Sequence, residues 1–285
     1  VSLKIIAALG TAVGRGYAIE FAGPIAKELC VEARLTLCNM TIEMGARSGF
    51  IAPDEKVLAY LKGRPYMPRD GEWEAACQQW LALASDEDAI FDKEHQIDCG
   101  DLAPQITWGT DQSQTIAIDE HLPNLPQDAD ARMKMERAYA YMGLEPGTPV
   151  KGVKVDRVFI GSCTNARLSD LRIAAQIVKG RQIHESVTAM VVPGSTSVKR
   201  AAEQEGLDRI FKDAGFFWGE SGCSMCAGGN GDRGRPQERV ISTTNRNFEG
   251  RQGKGVRTHL TGPELAAACA LAGHIADPRD YMGRV

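Results

Sequence analysis

The sequence predicts an α/β protein of two domains whose sheets are mostly parallel, and three observations carry that expectation. The chain has 285 residues, more than the roughly 100 to 200 of one typical domain. Its 43% hydrophobic and 25% charged residues fit a globular protein with ample core and exclude the disordered and fibrous classes. From residue 155 onward, strand-like and helix-like segments alternate, the pattern of a mostly parallel layered sheet.

Taken in order, the apolar run Leu3-Lys4-Ile5-Ile6-Ala7-Ala8-Leu9 follows Val1 with no cap or polar leader, so the chain reads as truncated. Residues 17–21 read as a strand, 28–46 as mainly helix ending near Gly49, and 50–52 as a second strand. Pro53-Asp54 then starts a helix through Leu61. Residues 72–83 form an amphipathic helix in which Trp73, Ala76, Cys77 and Trp80 share a face, so Cys77 is expected in the core. The pattern loosens over 104–150, rich in Gly and Pro with one helix at 129–142. The expected division is therefore a first domain over 1–104, a connecting segment over 105–152 and a second domain over 153–285. Within the second domain, strands are expected at 155–160, 189–192, 216–218 and 239–241, and helices at 168–179, 198–205 and 263–272.

Charge and cysteine usage narrow the function classes. A net charge of -4 with mixed signs gives no basic stripe, which argues against nucleic acid or an anionic membrane as partner. The longest apolar stretch, about 264–275, is too short to span a bilayer and carries Glu264 and His274. No basic leader followed by an apolar run opens the sequence, so a reducing cytoplasmic setting is expected. There, eight cysteines point to buried thiols or metal ligands rather than disulfides.

In doubly wound sheets, ligands bind beyond the carboxyl ends of the strands. Four such ends carry Gly161-Ser162-Cys163-Thr164-Asn165, Pro193-Gly194-Ser195, Gly219 to Cys226, and Ser242-Thr243-Thr244-Asn245-Arg246. Cys223 and Cys226 form a C-x-x-C pair that one tight loop can aim at a single metal centre. Gly222, Gly228 and Gly229 allow close approach of backbone amides, which suits a polynuclear sulfide cluster, and Cys163 can supply a third thiolate. A zinc site completed by His259 and a thioredoxin-like redox pair are the alternatives. Arg246 and Arg251 flank a glycine-containing turn at the same edge and suit bidentate carboxylate binding. Asn39 and Glu43, four apart in a helix-like apolar stretch, are expected to share one face, with Glu43 partly desolvated.

These constellations together resemble the aconitase superfamily, most closely the large subunit of the bacterial 3-isopropylmalate dehydratases. The carrying motifs are Leu37 to Ala46 (LCNMTIEMGA), Ile160 to Asn165 (IGSCTN), Gly222 to Cys226 (GCSMC) and Asn245 to Leu260 (NRNFEGRQGKGVRTHL), with Ala52-Pro53-Asp54-Glu55 and Thr107-Trp108-Gly109-Thr110. The resemblance implies two aconitase-like three-layer α/β/α domains, here the second and third of the family's three around the cluster, and a missing preceding domain that carries His and Asp groups. It implies a 4Fe-4S cluster on Cys163, Cys223 and Cys226, with Asn245, Arg246 and Arg251 facing cluster and substrate, and Asn39 and Glu43 as cluster-side groups. The implied activity is dehydration and rehydration of a 2-hydroxy diacid, 2-isopropylmalate in leucine biosynthesis, or alternatively methylmalate, homoaconitate or citrate. The implied partner is a small subunit with a swivelling domain. One departure stands out: Ala227-Gly228-Gly229-Asn230 replaces the Leu-Ala-Met-Asn usual after the last cysteine in leucine-pathway members.

Overall fold

A computed structural model describes residues 1–229 and 231–282. Its elements run α1 (Ser2–Leu9), β1 (Ala18–Glu20), α2 (Pro24–Glu28), α3 (Val31–Met40), β2 (Ser48–Phe50), α4 (Glu55–Leu61) and α5 (Gly71–Leu81). There follow β3 (Gln105–Thr107), β4 (Thr115–Ala117), α6 (Ala129–Met142), β5 (Arg157–Gly161), α7 (Ser162–Asn165), α8 (Leu168–Val178) and β6 (Thr188–Val192). The rest are α9 (Thr196–Gln204), α10 (Leu207–Asp213), β7 (Phe217–Trp218), β8 (Arg239–Ser242), β9 (Arg257–Leu260) and α11 (Pro263–Ala272). The chain divides into two compact units, a smaller one over Ala12–Asp101 and a larger one made of Val1–Thr11 with Leu102–Val285.

The larger unit is built on a five-stranded sheet in the order β7-β6-β5-β8-β9, parallel throughout. Period-two side chains sort to opposite faces, as a strand requires. Val158, Ile160, Val191 and Ile241 join the main core, which also takes Leu171, Ala174, Ala175 and Val178 of α8 and the alanine-rich α11. Phe159, Val192 and Val240 turn to the second face and pack with Met225 and Val256. α11 is apolar on every side and buried from Leu265 to Ala270, the state expected of a helix without a polar face.

The 105–152 stretch, expected to connect two domains, is part of this larger unit. β3 and β4 form an antiparallel hairpin, and Ile106, Trp108, Ile116, Ile118 and Leu122 join the main core with Tyr139 and Met142 of α6. The Trp108 and Tyr139 rings stack at 4.6 Å between centroids. Glycine and proline mark the turns here, but the apolar residues between them are too few per strand to give a periodic signal. α6 occupies the expected 129–142, fixed by Asp128 at its N-cap and Gly143 in the left-handed region at its end.

In the smaller unit, β1 and β2 pair in parallel. Arg34, 4% exposed, ties three elements: it donates to Leu29 O, Lys27 O and, at 2.6 Å, to Asp54 Oδ2. Asp54 in turn caps α4 through Lys56 N and Val57 N, and the bond from the Arg34 guanidinium holds its carboxyl below the usual carboxylate range. β2 lies flush on α3 because Gly49 has no side chain; a Cβ there would stand 2.8 Å from Cys38 Cα and 2.6 Å from Thr41 Cγ2. Cys77 is half-buried rather than core, since α5 buries none of its residues; Trp73 and Trp80 pack edge to face on each other at 5.8 Å.

β9 carries a buried base that sets a pH limit on the fold. His259 is fully buried; its Nδ1 lies 2.7 Å from Thr107 O, which can only accept, so Nδ1 carries the proton and Nε2 accepts from Arg239 at 2.8 Å. Burial first and the Arg239 charge second push its pKa down to about 3. Because the unfolded chain protonates this imidazole near the ordinary value of about 6.5, stability should fall by roughly 1.4 kcal/mol per pH unit below that point. Urea unfolding between pH 7.5 and pH 5 measures the slope, and His259→Asn should flatten it; equal slopes in both proteins would remove His259 from the cause.

Candidate functional site

The order β7-β6-β5-β8-β9 places the reversal of winding at β5, with β6 laid to one side and β8 to the other. Such a reversal opens a crevice beyond the carboxyl ends of the strands, and Cys163 sits there, two residues past β5. Ser162 before it has φ of 89°, a strained position for a residue with a side chain. Three bonds pin the segment to the end of β8. Thr243 Oγ1 accepts from Gly161 N and donates to Gly161 O, both at 2.9 Å, and Asn165 Nδ2 donates to Thr243 O at 3.1 Å. On the β6 side, Gly194 N donates to Ala166 O at 2.8 Å, an approach close enough that a Cβ on Gly194 would stand 3.1 Å from that same oxygen.

Cys223 and Cys226 bracket a single 3-10 turn, Ser224–Cys226, closed by Cys226 N donating to Cys223 O at 2.8 Å. The turn is nailed to the sheet by Met225, 1% exposed, whose side chain enters the second-face core against Phe159 and Val256. Met225 therefore points inward, Cys226 is half-buried against the same cluster, and Cys223 is exposed. Cys163 is exposed as well. The three thiols share one electrostatic neighbourhood. Burial pushes the Cys226 thiol up, the Cys223 and Cys163 thiols add to that rise, and a hydrogen bond and positive charge from Arg251 oppose it.

Arg251 also has a buried Nε without a hydrogen-bond partner, as has the Ser221 hydroxyl beside the turn. A buried N–H left unpaired next to three thiols is a donor awaiting an acceptor. The Asn245–Arg251 segment is held from below by a buried polar network. Gln112 Nε2 donates to Asn245 O at 2.6 Å. Asn247 Nδ2 reaches Gly109 O at 2.8 Å and Thr107 Oγ1 at 3.2 Å. Gln252, fully buried, donates to Ser242 Oγ and accepts from Thr258 Oγ1. Asn245, Arg246 and Arg251 are left half-buried above it.

A family profile described as Aconitase family (aconitate hydratase) matches residues 1–273. The chain belongs to the aconitase family. Its enzyme class is accordingly hydro-lyase, and the α/β architecture with its parallel five-stranded sheet agrees with that membership.

The residues singled out in the sequence distribute over both units. Cys163, Cys223, Cys226, Asn245, Arg246 and Arg251 belong to the larger unit of this aconitase-family chain, and Asn39 and Glu43 to the smaller. The expected helix over 28–46 is interrupted at Leu29 and Cys30, and α3 ends at Met40. Glu43 thus lies in a 3-10 turn, Thr41–Met44, that continues directly from α3. Asn39 is exposed and Glu43 half-buried.

A zinc site completed by His259 does not fit, because both ring nitrogens of His259 are engaged inside the protein. Among the described residues no three His, Cys, Asp or Glu side chains gather as a single-ion site. A tetrahedral zinc with bonds of about 2.3 Å would need its sulfurs roughly 3.8 Å apart. Three thiols in one electrostatic neighbourhood, with the unpaired Arg251 Nε as a donor, are the kind of groups an iron–sulfur cluster takes. Of the departing stretch after Cys226, Asn230 lies outside the described residues.

Sequence reasoning places Thr243 at a ligand-side strand end without assigning it a role, and does not single out Asp232. The Thr-Thr pair after a buried strand was the available signal for the first; nothing local marks the second. The Thr243 hydroxyl is expected to contribute measurably. Thr243→Val keeps the shape but leaves the buried Gly161 N–H unpaired, so urea unfolding should show a loss of about 1 to 3 kcal/mol; an unchanged midpoint would mean that the stitch between β5 and β8 is idle.

Proposed function

We propose that this aconitase-family chain uses Cys163, Cys223 and Cys226 to hold a 4Fe-4S cluster and interconverts a 2-hydroxy diacid and its isomer by dehydration and rehydration. The single observation that supports the reading is that the Cys163 and Cys223 thiols and the Arg251 guanidinium all act electrostatically on the Cys226 thiol, from loops beyond the carboxyl ends of one parallel sheet. When bound through three thiolates, such a cluster supplies an iron that lacks a protein ligand and can act as a Lewis acid.

The chain's own residues account for the rest. Arg246 and Arg251 are assigned to the carboxylates, where planar guanidinium forks fix two oxygens at once. Asn245 is assigned to the same polar rim; its backbone carbonyl is already anchored by Gln112, which leaves its side chain to be aimed by a fixed main chain. Asn39 and Glu43 are the smaller unit's assigned contributors, Glu43 as the carboxylate that exchanges a proton with water. The base for the carbon-bound proton is assigned to a partner, a small subunit with a swivelling domain. The preferred substrate is 2-isopropylmalate, in leucine biosynthesis in the cytoplasm; methylmalate, homoaconitate and citrate are the competing diacids. The glycine-rich Ala227-Gly228-Gly229 in place of bulkier residues favours testing all four. Among the described residues no helix is long and apolar enough to cross a membrane.

Two measurements test the reading. After anaerobic reconstitution with iron and sulfide, the unaltered chain should retain both through desalting, and Cys163→Ser, Cys223→Ser and Cys226→Ser should each retain neither; full retention in any one of them would falsify the ligand assignment. With the small subunit added, Arg246→Gln should lower kcat/KM for the diacid by at least about 30-fold, the loss expected when one partner of a charged pair is removed. An Arg246→Gln enzyme with unaltered kinetics would take that side chain out of substrate binding.

A further inference from the structure

We infer that Asp232 is the positioning residue of the Cys223–Cys226 turn: its carboxylate locks Ser224 in the backbone conformation that sets the two thiols relative to each other. The inference rests on the reading of those cysteines as cluster ligands. Ser224 has φ of 42°, in the left-handed region where a residue with a side chain is disfavoured and glycine is at ease. The sequence places no glycine there, so something must hold the serine. Its hydroxyl is 2.8 Å from Asp232 Oδ2 and 3.5 Å from Met190 Sδ. A hydroxyl has one proton to give. The carboxylate is nearer and carries the charge, so the proton goes to Asp232.

The rest of the loop delivers Asp232 to that place. Asp232 N donates to Gly229 O at 3.0 Å, Gly229 N donates back to Ser224 O at 3.2 Å, and Arg233 Nε donates to Gly228 O at 2.5 Å. Gly228 itself has φ of 62°, which lets the chain fold back within six residues of Cys226. Ser224 is 6% exposed and Met225 1%, so the turn is gripped on both sides, by an apolar anchor below and a charged one alongside. Rotating Ser224 to an ordinary φ would swing Cys223 relative to Cys226, since it is the first residue between them. Asp232 does not touch the thiols; it acts on their spacing through the serine.

The test is a rescue. Four proteins are compared: the unaltered chain, Asp232→Ala, Asp232→Asn and the double variant Ser224→Gly with Asp232→Ala. Two readouts are taken: the rate at which a ferrous chelator strips iron from the anaerobically reconstituted protein, and amide exchange over residues 222–229 in the protein without iron. Asp232→Ala should lose iron about tenfold faster and exchange faster over 222–229, with the urea midpoint within experimental error of the unaltered chain. Asp232→Asn, which still accepts from the serine hydroxyl, should stay near the unaltered values. Ser224→Gly should restore the Asp232→Ala protein, because glycine adopts a positive φ without help; a role for Asp232 in general loop stability would not be repaired at position 224. Unchanged iron release and exchange in Asp232→Ala, or failure of the glycine to restore them, overturns the inference. Should the unaltered chain take up no iron and sulfide at all, the ligand assignment falls instead, and the exchange data alone then decide whether Asp232 sets the turn.

Discussion

The architecture of the larger unit depends on one hydroxyl bridging two strand ends. Thr243 both donates to and accepts from the backbone of Gly161, and so closes the gap that a change of winding direction would otherwise open between β5 and β8. Parallel strands at a switch point diverge at their carboxyl ends, which is why ligands gather there. A crevice needs walls that do not move. The threonine supplies one without filling the space above it, and Cys163 then leaves the sheet from a fixed point rather than from the tip of a mobile loop.

Below the arginine segment, polar side chains are buried in a connected network that leaves Asn247 Oδ1 unpaired. Thr107, Gln252, Asn247 and Thr258 exchange hydrogen bonds with one another or with nearby backbone, and His259 is held neutral between Thr107 and Arg239. Burial pulls Arg239 down to about 10 while leaving it protonated at neutral pH; its charge is spread onto the Met142 and Gly143 carbonyls at the end of α6. Buried polar groups of this kind fix orientation, because every alternative arrangement strands a donor or acceptor. The outcome is a rigid floor for Asn245, Arg246 and Arg251. The hairpin β3-β4 is therefore a structural support of the site, although it contributes no candidate residue of its own.

Much of this was legible in the sequence because the informative segments combine strong periodicity with clear punctuation. The helices at 129–142 and 263–272 are found where they are expected, each bounded by a helix-starting residue and a left-handed glycine. The cysteine loops were legible because they follow short strands that end in apolar residues, Val158-Phe159-Ile160 and Phe217-Trp218. What escaped was of three kinds. β9 and the β3-β4 hairpin are polar-looking strands whose Thr, Gln and His side chains are satisfied only by tertiary partners. α10 is seven residues long and follows α9 after only Glu205 and Gly206, too short for a helical period to stand out. The stretch 28–46 reads as one helix because apolar residues run through it, yet it is broken at Leu29 and Cys30 and tightens into a 3-10 turn after Met40.

One small contact has a reach beyond its size. Gly49 lets β2 lie against the backbone of Cys38, the residue before Asn39. Main chain meets main chain there, so no rotamer change can make room for even a methyl group. A lineage carrying this fold can exchange most surface residues of α3 freely, but position 49 has no neutral neighbours in sequence space. Its immobility under drift would look, in a mutational scan, like a functional requirement, when its origin is purely steric.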